Sequence, residues 1–364
     1  MFDYKYKIWK ITLIVCLVVL VFLSVFILKP VIDQASDSPS YLEAIQVLNG
    51  AEQPTSFIPN RIITTFLGLK TVSLFSNLLP DLSSGWFIIN LALYFLLSVT
   101  FYNLIIKLFG SEKAALLGTL FLASNYALIN FGLGFYMDIG GWAFYIFSIY
   151  FLFLYSESKN YKILLLSALM VSIGGLWKEY AFLGVIPIFC FLIYENWPNL
   201  LKAIKRGLWP ALIVIIPTFI LHFFVYKTFN YTYLDWLSQN QVLYSYHSRI
   251  IEYFKSFGSL FNFLSISFAL GAYIFLKRGK EMMQEKKNRV FIISILLSVL
   301  PIFFWPAITQ RILFITIPGA ILISSLAFKK YEKYWCLFLI LLIAYVLANF
   351  TMDSFILSYV NLPF

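Results

Sequence analysis

The sequence predicts an all-α polytopic membrane protein with about eleven transmembrane helices. The chain has 364 residues, of which 61% are hydrophobic and 20% aromatic, and its mean hydropathy is +0.84. A single soluble core cannot bury so much apolar surface, whereas an apolar run of about 20 residues is long enough to cross a bilayer as a helix. Such runs fall at 8–28, 84–108, 113–131, 139–155, 161–176, 179–194, 208–227, 258–276, 290–308, 311–328 and 334–353.

The segments between the predicted spans define one domain over 1–364 with two long outer loops. The first span follows three lysines and lacks a small-residue cleavage site, which is typical of a retained anchor. Because Arg61 and several polar residues interrupt the run 57–79, we expect it to form a helix in the membrane interface, within a first outer loop at 29–83. The second outer loop is 228–257. No soluble C-terminal domain is expected, since the chain stops soon after its last predicted span.

The basic residues predict the orientation of the chain. If the N-terminus is cytoplasmic and 57–79 does not span, the basic runs at 202–206, 277–289 and 329–333 all lie on the cytoplasmic side. Lysine and arginine are enriched on that side of membrane proteins. If 57–79 did span, all three runs would move outside. The sequence therefore favours a cytoplasmic N-terminus and an outer location for the first loop.

The remaining composition excludes several classes of function. The net charge of +10 is explained by basic loops on the cytoplasmic side, so no nucleic acid partner is indicated. The three cysteines lie in apolar runs and predict no disulfide framework. His222 and His247 are too few and too far apart for a typical zinc site. The chain carries no Walker A loop.

Six ionisable residues from distant parts of the chain fall at or near the outer face in this topology. Such groups are costly at membrane depth and are retained mainly where they pair, line water or take part in function. Only 12% of the residues are charged, so a concentration of charge on one face predicts a single polar cleft. The six residues are Asp37, Arg61, Asp138, Lys178, Glu179 and Arg311.

Each of these residues also has a purely structural interpretation. Ser38 before Pro39 has the pattern of a helix N-cap followed by proline at the first helical position, so Asp37 could simply cap a short helix on a solvated loop. Asp138 could likewise cap the helix that begins next to it. Lys178 and Glu179 could pair with neighbours and hold the ends of two helices in place.

The stretch Asp37-Ser-Pro-Ser-Tyr41-Leu-Glu-Ala44 resembles the first-loop motif of the GT-C glycosyltransferases, with Ser38 where that family usually has Glu. These membrane enzymes move a sugar from a polyprenyl or dolichyl phosphate onto an acceptor. Four further stretches resemble the family in the same order along the chain. They are Phe57-Ile-Pro-Asn-Arg61, Phe135-Tyr-Met-Asp138, Trp177-Lys178-Glu179-Tyr180 and Gln310-Arg311-Ile-Leu-Phe-Ile-Thr-Ile-Pro318.

The resemblance implies an inverting glycosyltransferase whose active site lies at the outer face of the membrane. It implies Asp37 as the base that takes the proton of the acceptor hydroxyl. A sugar phosphate leaves as a stable anion, so cations rather than a second acid are needed at the leaving group. The resemblance assigns that role to Arg311, Lys178 and Arg61. Tyr41, Glu179 and Asp138 are further candidate substrate-binding residues.

The same resemblance sets the expected partners, cofactors and location. The expected partners are a polyprenyl-phosphate sugar donor, a glycan, lipid or protein acceptor, and membrane lipids. An alternative role for Asp138 and Glu179 is to join Asp37 in holding Mg²⁺ or Mn²⁺ through carboxylate oxygens. We expect an integral protein of a bacterial cytoplasmic membrane.

Two other functions share part of this pattern. A transporter or flippase would also carry ionisable groups, but these usually lie near the midplane between two similar halves, and the chain shows no internal repeat. A glycan polymerase would share both the outer-face site and a lipid-linked substrate. Release of polyprenyl phosphate from a lipid-linked sugar distinguishes the transferase from both.

Overall fold

The computed structural model of the protein describes residues 2–28, 37–54, 57–76, 78–79, 81–241, 246–282, 286–305 and 309–360. Over these residues the chain is helical and contains no β-strand. The first eight α-helices are α1 (Phe2–Leu23), α2 (Ser38–Leu48), α3 (Asn60–Ser76), α4 (Leu82–Phe109), α5 (Glu112–Ala123), α6 (Asp138–Ser158), α7 (Tyr161–Trp177) and α8 (Val185–Asn196).

The second half of the chain is built in the same way. Its helices are α9 (Leu200–Phe229), α10 (Tyr233–Gln241), α11 (Tyr246–Phe261), α12 (Leu264–Met282), α13 (Lys286–Leu297), α14 (Gln310–Leu313), α15 (Thr316–Lys330) and α16 (Trp335–Val360). Short 3-10 or π turns lie at Ser24–Leu28, Leu128–Gly132, Glu179–Gly184, Leu300–Phe304 and Glu332–Tyr334.

The fold is that of an all-α polytopic membrane protein, as the sequence predicts. Within the described residues, seven helices are long and apolar enough to cross a bilayer, and α11 with α12, bent by 89°, could form an eighth span. Each of the eleven predicted spans falls on one of these helices or on the shorter α5, α7 and α15. The count of eleven stays a prediction.

The helix ends follow from residues with capping chemistry. The Asp81 carboxylate accepts a hydrogen bond from the Ser84 amide at 2.6 Å and caps the start of α4. At the other end, Gly110 adopts a left-handed conformation with φ 66°, which terminates α4. Ser111 follows at once and caps α5. This glycine–serine pair makes the turn between α4 and α5 very short.

The central packing depends on small residues where α6 meets α7. A Cβ added at Gly140 of α6 would lie 2.1 Å from Cδ1 of Trp177, and one at Gly174 of α7 would lie 2.5 Å from Cβ of Phe144. Glycine at both positions therefore allows the two helices to approach closely, as is common between membrane helices. Because α6 begins at Asp138 and α7 ends beside Lys178, this contact brings two of the predicted site residues together.

The first loop is more deeply packed than an interfacial location suggests. Helix α3 falls outside the candidate spans, but it buries Ile62, Ile63, Leu69 and Val72, and it contacts α4 and α7. Its backbone is kinked at the buried Thr65. Arg61, in the first turn of α3, pairs with Asp37 just before α2.

Candidate active site

Seven side chains from five separate segments meet where several helices begin or end. We call them the charged cluster. The five segments are the start of α2 with the residue before it, the first turn of α3, the start of α6, the junction between α7 and the Glu179 turn, and α14. The members of the cluster are Asp37, Tyr41, Arg61, Asp138, Lys178, Glu179 and Arg311.

Asp37 is held by two arginines. Its Oδ1 pairs with Nη2 of Arg61 and its Oδ2 pairs with Nη1 of Arg311. The Asp37 side chain makes no capping hydrogen bond to α2, which begins at Ser38 rather than after it. Ser38 instead donates its hydroxyl to the Phe135 carbonyl at 3.2 Å. The predicted Ser38 cap is therefore wrong by one residue, because these two side chains are recruited by partners far away in the chain.

The electrostatic setting of Asp37 keeps it ionised. Burial alone would raise the pKa of its carboxyl, but the positive charges of Arg61, Arg311 and Lys178 outweigh burial and hold that pKa at about 2. The Asp37 side chain retains 23% of its exposure. It is therefore a charged group that a substrate can reach.

Arg311 bridges Asp37 to a second carboxylate. Its Nη2 and Nε donate to Oδ2 of Asp138 at 2.8 and 3.1 Å. The guanidinium carbon also lies 4.4 Å from the ring centroid of Tyr136, a cation–π distance. The Asp138 side chain is fully buried and is not a cap of α6. Its Oδ1 has no hydrogen-bond partner among the described residues.

Tyr41 lies between the three cations and is fully buried. Lys178 Nζ and Arg311 Nη2 each donate to its hydroxyl at 3.4 Å, and the Arg61 guanidinium lies 4.7 Å from its ring centroid. Arg61 also donates through Nε to the Ser40 hydroxyl at 2.9 Å. The arginines and the lysine are thus arranged around one aromatic side chain from α2.

Lys178 and Glu179, which follow each other in sequence, form an ion pair with each other. Lys178 Nζ lies 3.6 Å from Oε2 of Glu179, and both side chains are more than nine-tenths buried. Lys178 Nζ is also 5.9 Å from the Tyr41 ring centroid. The pair therefore joins the junction after α7 to the rest of the charged cluster.

A cavity of about 360 Å³ lies beside Glu179. Its wall is mostly apolar. The Glu179–Gly184 turn contributes the most side chains, α3, α8, α14 and the Leu300–Phe304 turn add one isoleucine each, and Tyr180, His222 and Tyr233 supply polar groups. The His222 and Tyr233 rings are stacked, with their centroids 5.7 Å apart. Sequence reasoning missed His222 as part of this site, because a single histidine in an apolar helix carries no local signal.

The carboxylates of the cluster do not form a metal-binding group. Asp37 faces two arginines, Asp138 faces Arg311, and Glu179 faces Lys178. Among the described residues, no set of three or more His, Cys, Asp or Glu side chains is arranged to hold a metal ion. A divalent cation shared by these carboxylates would have to replace cations of the protein that already neutralise them. The predicted Mg²⁺ or Mn²⁺ site does not fit this arrangement.

Residues 66–223, from within α3 to within α9, match the family model described as dolichyl-phosphate-mannose-protein mannosyltransferase. This match covers less than half of the chain and supports its resemblance to the GT-C superfamily of membrane glycosyltransferases. A comparison with curated proteins finds no match. The matched part of the chain contains Asp138, Lys178 and Glu179, while Asp37 and Arg311 lie on either side of it.

The structure brings all of the site residues suggested by the sequence together in the charged cluster. It also adds several neighbours. Ser40 and Tyr136 hold Arg61 and Arg311. Both occur inside stretches that resemble the family motifs, so the signal for them was present. Tyr180 has a buried hydroxyl without a hydrogen-bond partner among the described residues, and it lines the cavity.

Proposed function

We propose that the enzyme is an inverting glycosyltransferase that moves a sugar from a polyprenyl-phosphate donor to an acceptor hydroxyl at the outer face of the membrane. The observation that carries this proposal is the convergence of one accessible carboxylate and three cations at the ends of apolar helices. A donor of this kind presents an anionic phosphate at the surface and an apolar chain within the membrane. The charged cluster and the adjoining apolar cavity offer complementary surfaces to both parts.

The cations are suited to the leaving phosphate. Arg311 and Arg61 present planar guanidinium groups, which bind phosphate oxygens in a bidentate manner, and Lys178 adds a third charge. As the bond between the sugar and the phosphate breaks, negative charge grows on the phosphate oxygen. Cations already held in place stabilise that charge without having to rearrange.

Asp37 is suited to the role of base. The acceptor oxygen attacks the anomeric carbon, the bond from that carbon to the phosphate oxygen breaks, and the acceptor proton passes to Asp37. The products are the glycosylated acceptor and polyprenyl phosphate. Because one displacement occurs at the anomeric carbon, its configuration inverts.

The opposite ends of the same helices support an outer location for the cluster. Helix α6 starts at Asp138 and ends next to Lys159, and α4 carries Lys107 in its last turn. At 1.5 Å per residue, α6 is about 30 Å long, which matches the hydrocarbon thickness of a bilayer. Basic residues favour the cytoplasmic side. The cluster, at the other end of α6, is therefore expected outside.

A direct assay tests this function. Purified enzyme in lipid nanodiscs is incubated with a panel of polyprenyl-phosphate sugars, and the release of polyprenyl phosphate is measured together with the mass of the glycosylated product. Wild type should release polyprenyl phosphate only as sugar is transferred. Neither a transporter nor a glycan polymerase releases it, so failure with every donor and acceptor of the panel would contradict the proposal.

The variant Asp37→Asn tests the base. Asparagine keeps the size of the side chain but cannot take the proton, so transfer should slow by at least about a hundredfold while the protein still binds donor. The matched control is Asp81→Asn, because Asp81 does cap a helix and asparagine caps about as well as aspartate. Asp33, an earlier aspartate in the first loop, lies outside the described residues and serves as a second control. Wild-type turnover by Asp37→Asn would remove it as the base.

A further inference from the structure

The charged cluster is electrically balanced before any substrate binds. Its three cations, Arg61, Lys178 and Arg311, are each within ion-pair distance of at least one of its three carboxylates. A phosphate that entered this cluster without displacing anything would bring a fourth negative charge to three positive ones. Favourable binding of an anion therefore requires that one carboxylate give up its cations.

The three carboxylates differ in how easily they can do so. Asp138 is fully buried and accepts two hydrogen bonds from a single guanidinium. Glu179 is 8% exposed, and among the described residues its only ion-pair partner is Lys178, so separation would leave two buried charges unpaired. Asp37 is 23% exposed, lies in the loop before α2, and does not hold its helix by a cap. Asp37 is the carboxylate that can turn toward solvent at the lowest cost.

We propose that the donor phosphate and the Asp37 carboxylate compete for the same guanidinium groups, so that binding of the donor releases the base for reaction. This inference rests on the proposed function. In the free enzyme both oxygens of Asp37 are occupied by arginines. In the donor complex the phosphate takes over those N–H donors, and Asp37 turns to the acceptor hydroxyl. The base is thereby active only when a donor is bound.

Asp138 is the positioning residue of this exchange. It holds the Nε and Nη2 edge of Arg311, while Nη1 points to Asp37. When Asp37 leaves, Arg311 stays in place on Asp138 and offers Nη1 to the phosphate. Arg61 is kept nearby by the Ser40 hydroxyl and the Tyr41 ring.

The exchange also explains how a weak base can serve the reaction. While two arginines flank it, the Asp37 carboxyl has a pKa of about 2 and little affinity for a proton. Transfer of the arginine contacts to the phosphate removes the main cause of that low value. The affinity of Asp37 for a proton then rises at the moment when an acceptor proton has to be taken.

The test is the affinity for polyprenyl phosphate, measured by titration calorimetry in detergent micelles. If the Asp37 carboxylate competes with the phosphate for the two arginines, Asp37→Asn should bind polyprenyl phosphate at least about tenfold more tightly than wild type. The uncharged asparagine holds the arginines more weakly than the carboxylate does, by about the strength of a charged hydrogen bond, so less is lost when the phosphate displaces it. Asp37→Ser, which is shorter and also uncharged, should behave in the same way and covers the case in which the asparagine variant does not fold.

The matched control is Asp138→Asn, which removes the same charge from the other side of Arg311. If the effect of Asp37→Asn were only a more positive site, this control would tighten binding equally. If Asp138 positions Arg311, the control should bind polyprenyl phosphate no more tightly than wild type. Equal tightening by both variants, or no tightening by either Asp37 variant, overturns the exchange.

Different outcomes would contradict the exchange and the proposed function. Wild type that transfers sugar, together with Asp37 variants of unchanged affinity for polyprenyl phosphate, would overturn the exchange and leave the proposed function standing. Absence of polyprenyl phosphate binding by wild type and by every variant would overturn both.

Discussion

Arg311 joins two carboxylates of the charged cluster, Asp37 and Asp138. It reaches Asp37 across 274 positions of sequence and Asp138 across 173, and it uses different edges of one guanidinium for the two contacts. A lysine could keep the charge but could not make both contacts in a fixed plane. The shape of the side chain should therefore matter as much as its charge.

The prediction at this residue is that Arg311→Lys binds the donor roughly tenfold more weakly or worse. The reason is the loss of a charged hydrogen bond, which is worth on the order of 1.5–3 kcal/mol. The measurement is the dissociation constant for polyprenyl phosphate. Lys107→Arg, at the opposite end of the spans in a pair with Glu157, is the control and should bind as wild type does. Unchanged donor affinity in both Arg311→Lys and Arg311→Ala would limit Arg311 to holding the helices together.

A second residue-scale prediction concerns metal ions. Each carboxylate of the charged cluster already faces an arginine or a lysine, so we expect the transfer rate to change by less than about twofold when a chelator is added. The assay compares the rate in excess EDTA with the rate in added Mg²⁺ or Mn²⁺. A rate that falls in EDTA and recovers with either ion would restore the metal interpretation of Asp37, Asp138 and Glu179.

At the scale of helices, glycines allow neighbouring helices to pack closely, and this packing positions the residues of the charged cluster. A Cβ at Gly271 of α12 would lie only 2.1 Å from the backbone carbonyl oxygen of Ile323 in α15. A backbone atom cannot move aside as a flexible side chain can. Because α15 begins soon after Arg311, a shift between these helices would also disturb the site.

We therefore predict that Gly271→Ala lowers the melting temperature of the purified protein, with a cost of about 1–3 kcal/mol from overpacking. The control is Gly258→Ala in α11, where an added Cβ would meet nothing within 4 Å. Alanine is the better helix former by about 0.5–1 kcal/mol, so this variant should melt at or slightly above the wild-type temperature. Identical melting of both variants would show that α12 and α15 can separate freely.

At the scale of the whole molecule, the outer helices carry the surface expected toward lipid. Helices α9 and α16 expose large apolar side chains such as Phe219, at 68%, and Ile340, at 62%, while most residues of α6 are buried. The charged cluster lies at the start of α6, whereas lysines such as Lys107 and Lys159 lie at the opposite ends of α4 and α6. The orientation of these ends in the membrane is a prediction.

Cysteine labelling in sealed cells tests that orientation. In a chain whose three native cysteines are replaced by alanine, Glu52→Cys and Ser83→Cys should react with an impermeant maleimide. Both positions are exposed and belong to the predicted first outer loop, and Ser83 lies at the end of α4 opposite Lys107. Ser158→Cys and Lys202→Cys, exposed at the opposite end, should react only after the cells are opened. The reverse pattern would place the site in the cytoplasm.

The sequence by itself determined the class of fold and the composition of the site. Apolar runs of membrane length define the spans wherever they occur, because the cost of burying polar backbone in lipid does not depend on the neighbouring helices. The cost of ionisable groups at membrane depth likewise singled out Asp37, Arg61 and Arg311 from a chain with few charges. The motifs of the family then suggested a role for each.

Only the tertiary structure determined which of these side chains form ion pairs and hydrogen bonds with one another. Local rules favoured Asp37 and Asp138 as helix caps, yet neither side chain makes a capping bond, because arginines from elsewhere in the chain offer stronger, charge-assisted partners. The addition of His222 to the cavity wall likewise depends on how α9 packs. Helix periodicity and capping are encoded over a few residues, whereas an ion pair across 274 positions exists only after the helices have packed.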